Sequence, residues 1–148
     1  MRNPLFHHIH FSAFHDPHVF AREMALFVNA AESLGYTTSV EHGVIHPDAL
    51  NILFATHSEP LVSLKNKAKH IIIYNLEQIG PDVPWLSPNF LRILNHFYAW
   101  DYNEQNRETL LANNAKHIDF VPMGYMPAMS CIPTDVPQDI DVLFLRNN

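Results

Sequence analysis

Residues 70–74 read His-Ile-Ile-Ile-Tyr. Three consecutive isoleucines leave no polar side to face water, so a strand here must be buried on both faces. Burial of that kind belongs to the middle of a parallel sheet with helices above and below it. The rest of the chain fits such a sheet, because short apolar runs alternate with segments of helical periodicity. Residues 5–14 predict a first strand. Asp16 and Pro17 predict a helix start, since Asp caps and Pro suits the first helical position. Val19, Phe20, Met24, Phe27, Val28, Ala31 and Leu34 recur at helical spacing, and Gly35 supplies the stop. Residues 36–40 predict a short, polar strand of the kind found at a sheet edge. Residues 41–49 read as a loop, and residues 50–55 as the next strand. A short helix is predicted over 60–69, with Leu61, Leu64 and Ala68 on one side.

Beyond the isoleucine strand and a loop over 75–85, Ser87 and Pro88 open a helix whose apolar stripe is Phe90, Leu91, Leu94 and Phe97. A strand within 97–102, a helix over 103–113 with Leu110 and Leu111 buried, and a strand over 118–121 complete the alternation. The expected fold is α/β: a Rossmann-like, doubly wound, mainly parallel sheet with helices on both faces. Residues 122–137 hold four prolines and one glycine and read as a connector. The domain is therefore placed at 1–137. Residues 139–145 then begin another apolar strand close to the last residue, Asn148.

Composition narrows the function. Apolar residues make up 47% and charged residues 16%, the balance of a chain with a packed core. The formal charge of −6, with nine scattered Lys and Arg, argues against nucleic-acid binding. No run reaches membrane-spanning length. The single cysteine, Cys131, permits no internal disulfide and points to a reducing, cytoplasmic setting. No G-x-G-x-x-G or G-x-x-x-x-G-K-[ST] occurs, which argues against a dinucleotide or P-loop enzyme.

In a doubly wound sheet, ligands bind beyond the carboxyl ends of the strands. Polar residues gather there in the sequence: His15 and Asp16, Thr56 to Ser58, Asn75 with Glu77 and Gln78, Asp101 and Tyr102, and Gly124 with Tyr125. His15, His57 and Glu77 are the candidates for a catalytic His–carboxylate set, with a His as general base. The eleven histidines raise a second chemistry. His8 and His10 share a strand face, and His15 and His18 flank the helix entry, so these four form an alternative metal-binding set of a hydrolase.

Four runs in fixed order carry a resemblance. They are Tyr74-Asn75-Leu76-Glu77-Gln78, Trp100-Asp101-Tyr102-Asn103 with Asn106, Val121-Pro122-Met123-Gly124-Tyr125, and Asp139-Ile140-Asp141-Val142-Leu143-Phe144. The order resembles a bacterial and viral group of GT-B type glycosyltransferases, with YNLEQ, WDYS-x-x-N, VPLGY and DIDVLFYG runs, over residues 50–145. Asn103 replaces the serine of the second run. The resemblance implies the N-terminal, acceptor-side domain of a two-domain enzyme. Asn75, Glu77, Gln78, Asp101, Tyr102, Gly124 and Tyr125 would then bind a sugar or glycan acceptor. It also implies that residues 138–148 are the first strand of a donor domain otherwise missing. The chain would hold no cofactor itself, and a nucleotide-sugar donor would need that second domain. Activity is expected only with a separate donor-domain chain. The competing expectation is a non-catalytic module that forms homo-oligomers through the strand at 139–145.

Overall fold

The computed structural model describes residues 6–16, 18–80, 85–125, 127 and 137. The connector around Cys131 and the strand expected at 139–145 fall outside the described residues. The elements run β1 (His8–Ala13), α1 (Ala21–Ser33), β2 (Thr37–His42), β3 (Leu50–Phe54), α2 (Leu61–Lys65), β4 (Ile71–Asn75), α3 (Pro88–His96), β5 (Tyr98–Asp101), α4 (Glu104–Ala112) and β6 (Ile118–Phe120). The six strands form one sheet in the order β2-β1-β3-β4-β5-β6, and every neighbouring pair is parallel. This is the Rossmann-like α/β sheet expected from the alternation. The isoleucine strand β4 lies between β3 and β5, with Ile71 and Ile73 buried.

Strand alternation divides the core into two layers. Ile9, Phe11 and Ala13 of β1, Ile52 and Phe54 of β3 and Tyr74 of β4 pack with Met24 and Ala31 of α1. On the other face, Leu53, Ile71, Ile73, Ala99 and Ile118 meet Leu64 of α2, Phe90, Ile93 and Leu94 of α3 and Leu110 of α4. A buried aliphatic or aromatic side chain stabilises the fold by about 1.5–3 kcal/mol relative to exposure, so these two layers hold the sheet.

Helix starts are set locally. Ser87 caps α3, its Oγ accepting from the Phe90 N–H at 3.1 Å, with Pro88 in the first turn. Asn103 caps α4 by accepting from the Gln105 and Asn106 N–H groups. Helix α1 starts later than its sequence signals predict. Asp16 does not cap it; the Asp16 carboxylate accepts from the His18 N–H at 2.9 Å and closes a turn ahead of the helix. Val19 and Leu34, expected on the apolar stripe, are 58% and 76% exposed, because they lie outside the helical span. Leu111 is likewise exposed, and Ile93 takes a core position not assigned to it. Gly35 follows α1 with φ +88°, the left-handed stop expected of it.

The connection from β2 to β3 is distinctive. Residues 43–49 carry no helix and lie across β1. Ser12 Oγ accepts from the Val44 N–H at 3.1 Å, and the Val44 carbonyl accepts from His10. Asn51, the one polar residue of β3, is fully buried beneath this loop. Its amide donates to the carbonyls of His46, Ala49 and His70, and its Oδ1 accepts from the His46 N–H at 2.8 Å. A loop exposes backbone polar groups where a helix would present an apolar face. That is why β1 points His8, His10 and Ser12 to this side and Ile9, Phe11 and Ala13 to the other. No helix of the described residues is long and apolar enough to cross a membrane.

Candidate functional site

The runs around residues 74–78, 100–106 and 121–125 meet at the carboxyl ends of β4, β5 and β6. Asp101, the last residue of β5, is fully buried. Its Oδ2 accepts from Asn75 Nδ2 at 2.6 Å. Its Oδ1 accepts from the Asn103 N–H at 2.9 Å and from Asn106 Nδ2 at 3.2 Å. Asn106 Oδ1 in turn accepts from the Ile79 N–H at 2.9 Å and from Gln78 Nε2 at 3.2 Å. Both asparagines also donate to the Glu77 carbonyl, and the Glu77 N–H donates to Asn75 Oδ1. Tyr102 donates its hydroxyl to Gln78 Oε1 at 3.2 Å. Tyr74 donates to the Val121 carbonyl at 2.8 Å, tying β4 to the segment after β6. The network therefore fixes the loop after β4 through its backbone. Asn75, Asp101 and Asn106 are spent on this internal bonding, and Asp101 does not cap α4; it orients Asn103, which does. Burial pushes the Asp101 carboxyl above its ordinary pKa, against the pull of its three donors. Burial, with smaller contributions from Asp101 and Tyr102, pushes the Tyr74 phenol up to about 12.

One group of side chains at the rim is left open. The strand order turns back between β1 and β3, where such sheets carry their crevice. His15 follows β1 and His57 follows β3, and their rings stack with centroids 5.4 Å apart. Ser58 Oγ lies 3.1 Å from His15 Nε2, and Trp85 packs on His57 at 4.3 Å between ring centroids. Glu77 is half-buried beside them, in electrostatic contact with His15. Its carboxylate has no hydrogen-bond partner among the described residues. Thr56, His57, Asn75, Glu77 and Phe90 line one narrow gap, too tight to hold a water molecule. Thr56 Oγ1 is buried there with no hydrogen-bond partner among the described residues. Ala55, at the turn into this rim, has φ +54°, a left-handed backbone conformation uncommon outside glycine.

Burial shifts two titratable groups at the crevice. Burial, and secondarily His15, lowers the His57 pKa from 6.5, so its imidazole is neutral at neutral pH and available as a base. Burial raises the Glu77 carboxyl above its ordinary range, with His15 opposing.

The structure brings the candidates His15, His57 and Glu77 together. It sets Gly124 and Tyr125 apart from them. Those two border a groove with Leu26, Phe27 and Ala30 of α1, and Tyr125 is 78% exposed. Gln78 and Tyr102 bond to each other at the rim. The four histidines of the alternative metal set do not converge: His8 and His10 lie under the 43–49 loop, His15 at the crevice, and His18 in the exposed turn before α1. His10 instead meets Glu41 and His46, which the sequence reading did not select. Their signal was present but weak: Glu41 alternates with Ser39 along β2, on the side that Ser39 shares with His8 and His10. Trp85 and the backbone of Ala55 were also missed, since nothing in their local sequence marks the crevice.

Comparison with protein-family models, with curated proteins and with solved structures returns no match for this chain, so no family assignment rests on them.

Proposed function

We propose that this chain is the acceptor-side domain of a GT-B type glycosyltransferase, holding a sugar hydroxyl at the crevice between β1 and β3. The observation that carries this reading is the convergence of His15, His57 and Glu77 at the point where the strand order reverses. His57, neutral through burial, is positioned to accept a proton from an acceptor hydroxyl. His15, held by Ser58, orients the stacked imidazole pair. The half-buried Glu77 carboxyl offers a hydrogen bond to a neighbouring sugar hydroxyl. The interlock of the first two runs supports the same reading, because Asn75, Asp101 and Asn106 together fix the Glu77 backbone at this rim. Transfer also needs stabilisation of a departing nucleotide diphosphate. On this reading that comes from a donor-holding lobe outside these 148 residues.

Amide-resolved NMR titration of the chain with a panel of mono- and disaccharides, and separately with nucleotide sugars, tests the proposal. The expected result is weak saccharide binding that shifts Thr56, Ser58, Glu77 and Trp85 and is lost in His57→Ala and Glu77→Gln. Tight binding of a nucleotide sugar at this rim, or saccharide shifts confined to other surfaces, would count decisively against it.

A further inference from the structure

The face of β1 roofed by the 43–49 loop gathers a second constellation, on a different part of the sheet from the crevice. His10 is fully buried there. Its Nε2 lies 3.1 Å from the Val44 carbonyl and its Nδ1 2.8 Å from Ser39 Oγ. A carbonyl only accepts, so Nε2 carries the proton and Nδ1 presents a lone pair to the Ser39 hydroxyl. The His46 ring lies against His10 at 4.5 Å between centroids, and His46 Nε2 is 3.0 Å from Glu41 Oε1. One nitrogen from each imidazole and one Glu41 oxygen all lie within 4.8 Å of one another.

We propose that His10, Glu41 and His46 form a binding site for a zinc-like divalent cation, with the remaining coordination position open to water or a ligand. Two imidazoles and a carboxylate are a donor set suited to zinc and its neighbours in the transition series, and a poor one for magnesium or calcium. Metal–ligand bonds of 2.0–2.1 Å place tetrahedral donor atoms about 3.3 Å apart, so no pair has to close by more than about 1.5 Å. The parts able to make that adjustment are present. His10 is a fixed, buried anchor, while the Glu41 and His46 side chains are 49% and 41% exposed and free to swing inward. Support behind the anchor is also in place: whichever His10 nitrogen takes the cation, the other keeps Ser39 or Val44 as its hydrogen-bond partner, as metal-binding histidines require. Binding replaces the His46–Glu41 hydrogen bond and one of the two made by His10, with the Ser39 hydroxyl turning away from Nδ1 or the Val44 carbonyl leaving Nε2. Where His46 coordinates through Nε2, its proton moves to Nδ1, so that both imidazoles coordinate in their neutral form. The cation would clamp the 43–49 loop onto β1 and β2. The site uses none of His15, His57 or Glu77 and stands independently of the proposed sugar chemistry.

The test is calorimetric titration of tag-free, chelator-stripped protein with zinc chloride, paired with the visible absorption spectrum of the cobalt(II) form. The expected result is one cation per chain and a zinc-dependent rise in the unfolding midpoint. His46→Ala and Glu41→Gln, both at exposed positions that leave the buried anchor intact, should each weaken binding at least about a hundredfold. A His15→Ala/His57→Ala double variant should bind like the parent. No stoichiometric uptake, uptake that survives in a Glu41→Gln/His46→Ala double variant, or uptake lost with the crevice histidines would each overturn the proposal.

Discussion

Asp101 accepts from two side-chain amides and one backbone N–H, all of them uncharged donors. Its role is to organise: with it in place, Asn75 and Asn106 both reach the Glu77 backbone. Asp101→Ala removes the acceptor and leaves three donors around a buried hole. Since each unsatisfied buried group costs about 1–3 kcal/mol and neighbours partly relax, the expected loss is about 3 kcal/mol, read as a lower urea midpoint at unchanged slope. A loss under about 1 kcal/mol would mean that water replaces the carboxylate without penalty. Sequence reading located Asp101 at the strand end and offered it as a ligand contact. It did not find the internal network, because the asparagine amides that reach Asp101 come from β4 and α4, elsewhere in the chain. Such long-range partners leave no mark in local sequence. His57 shows the opposite case: its place after an apolar strand was enough to put it at the crevice.

Element positions were legible to within a residue or two for most strands, since each is a short apolar run bounded by turn residues. The exceptions are the end of α2, which stops at Lys65 where the sequence predicts a helix to residue 69, and the start of α1. Asp16 satisfies a nearby N–H in a turn of its own, and the first helical turn then forms at Ala21, with Phe20 at the cap position offering no side-chain bond. The caps of α3 and α4 were better encoded, and their energetics are measurable. Ser87→Ala should cost about 1 kcal/mol, the usual worth of an N-cap hydroxyl, and a cost near zero would show that the Pro88 turn holds the helix start unaided. Gly35→Ala isolates backbone conformation from packing, because an added Cβ would meet nothing within 4 Å. Its left-handed φ makes a loss of about 1 kcal/mol the expected outcome in the same urea assay.

The protein as a whole should respond to pH through its buried imidazoles. Burial lowers the pKa of both His10 and His57 from 6.5, so the unfolded chain binds protons that the folded one refuses. Their stabilising contribution is complete above 6.5 and is lost as pH falls below it. The raised carboxyls, Asp101 and Glu77, act with the opposite sign, contributing at acidic pH and losing that contribution as pH rises through their elevated pKa values. In metal-free protein, the unfolding free energy should therefore climb more gently between about pH 5 and 6.5 in His57→Gln than in the parent. Equal slopes would contradict the assignment of His57 as neutral in the folded chain. The parallel sheet, its buried isoleucine strand and the polar edge strand β2 follow from patterning in the sequence. The helix-free passage from β2 to β3 does not, since its cover over β1 depends on Asn51 gripping a loop from below. That passage makes the two ends of the molecule unequal. Lifting the 43–49 segment would wet the imidazole of His10 and the hydroxyl of Ser12, but it would also pull Ile45 out of the apolar cluster and strip Asn51 of its partners. The β1–β2 corner is thus latched by one greasy plug and one polar grip, where the opposite end of the sheet is sealed by helices.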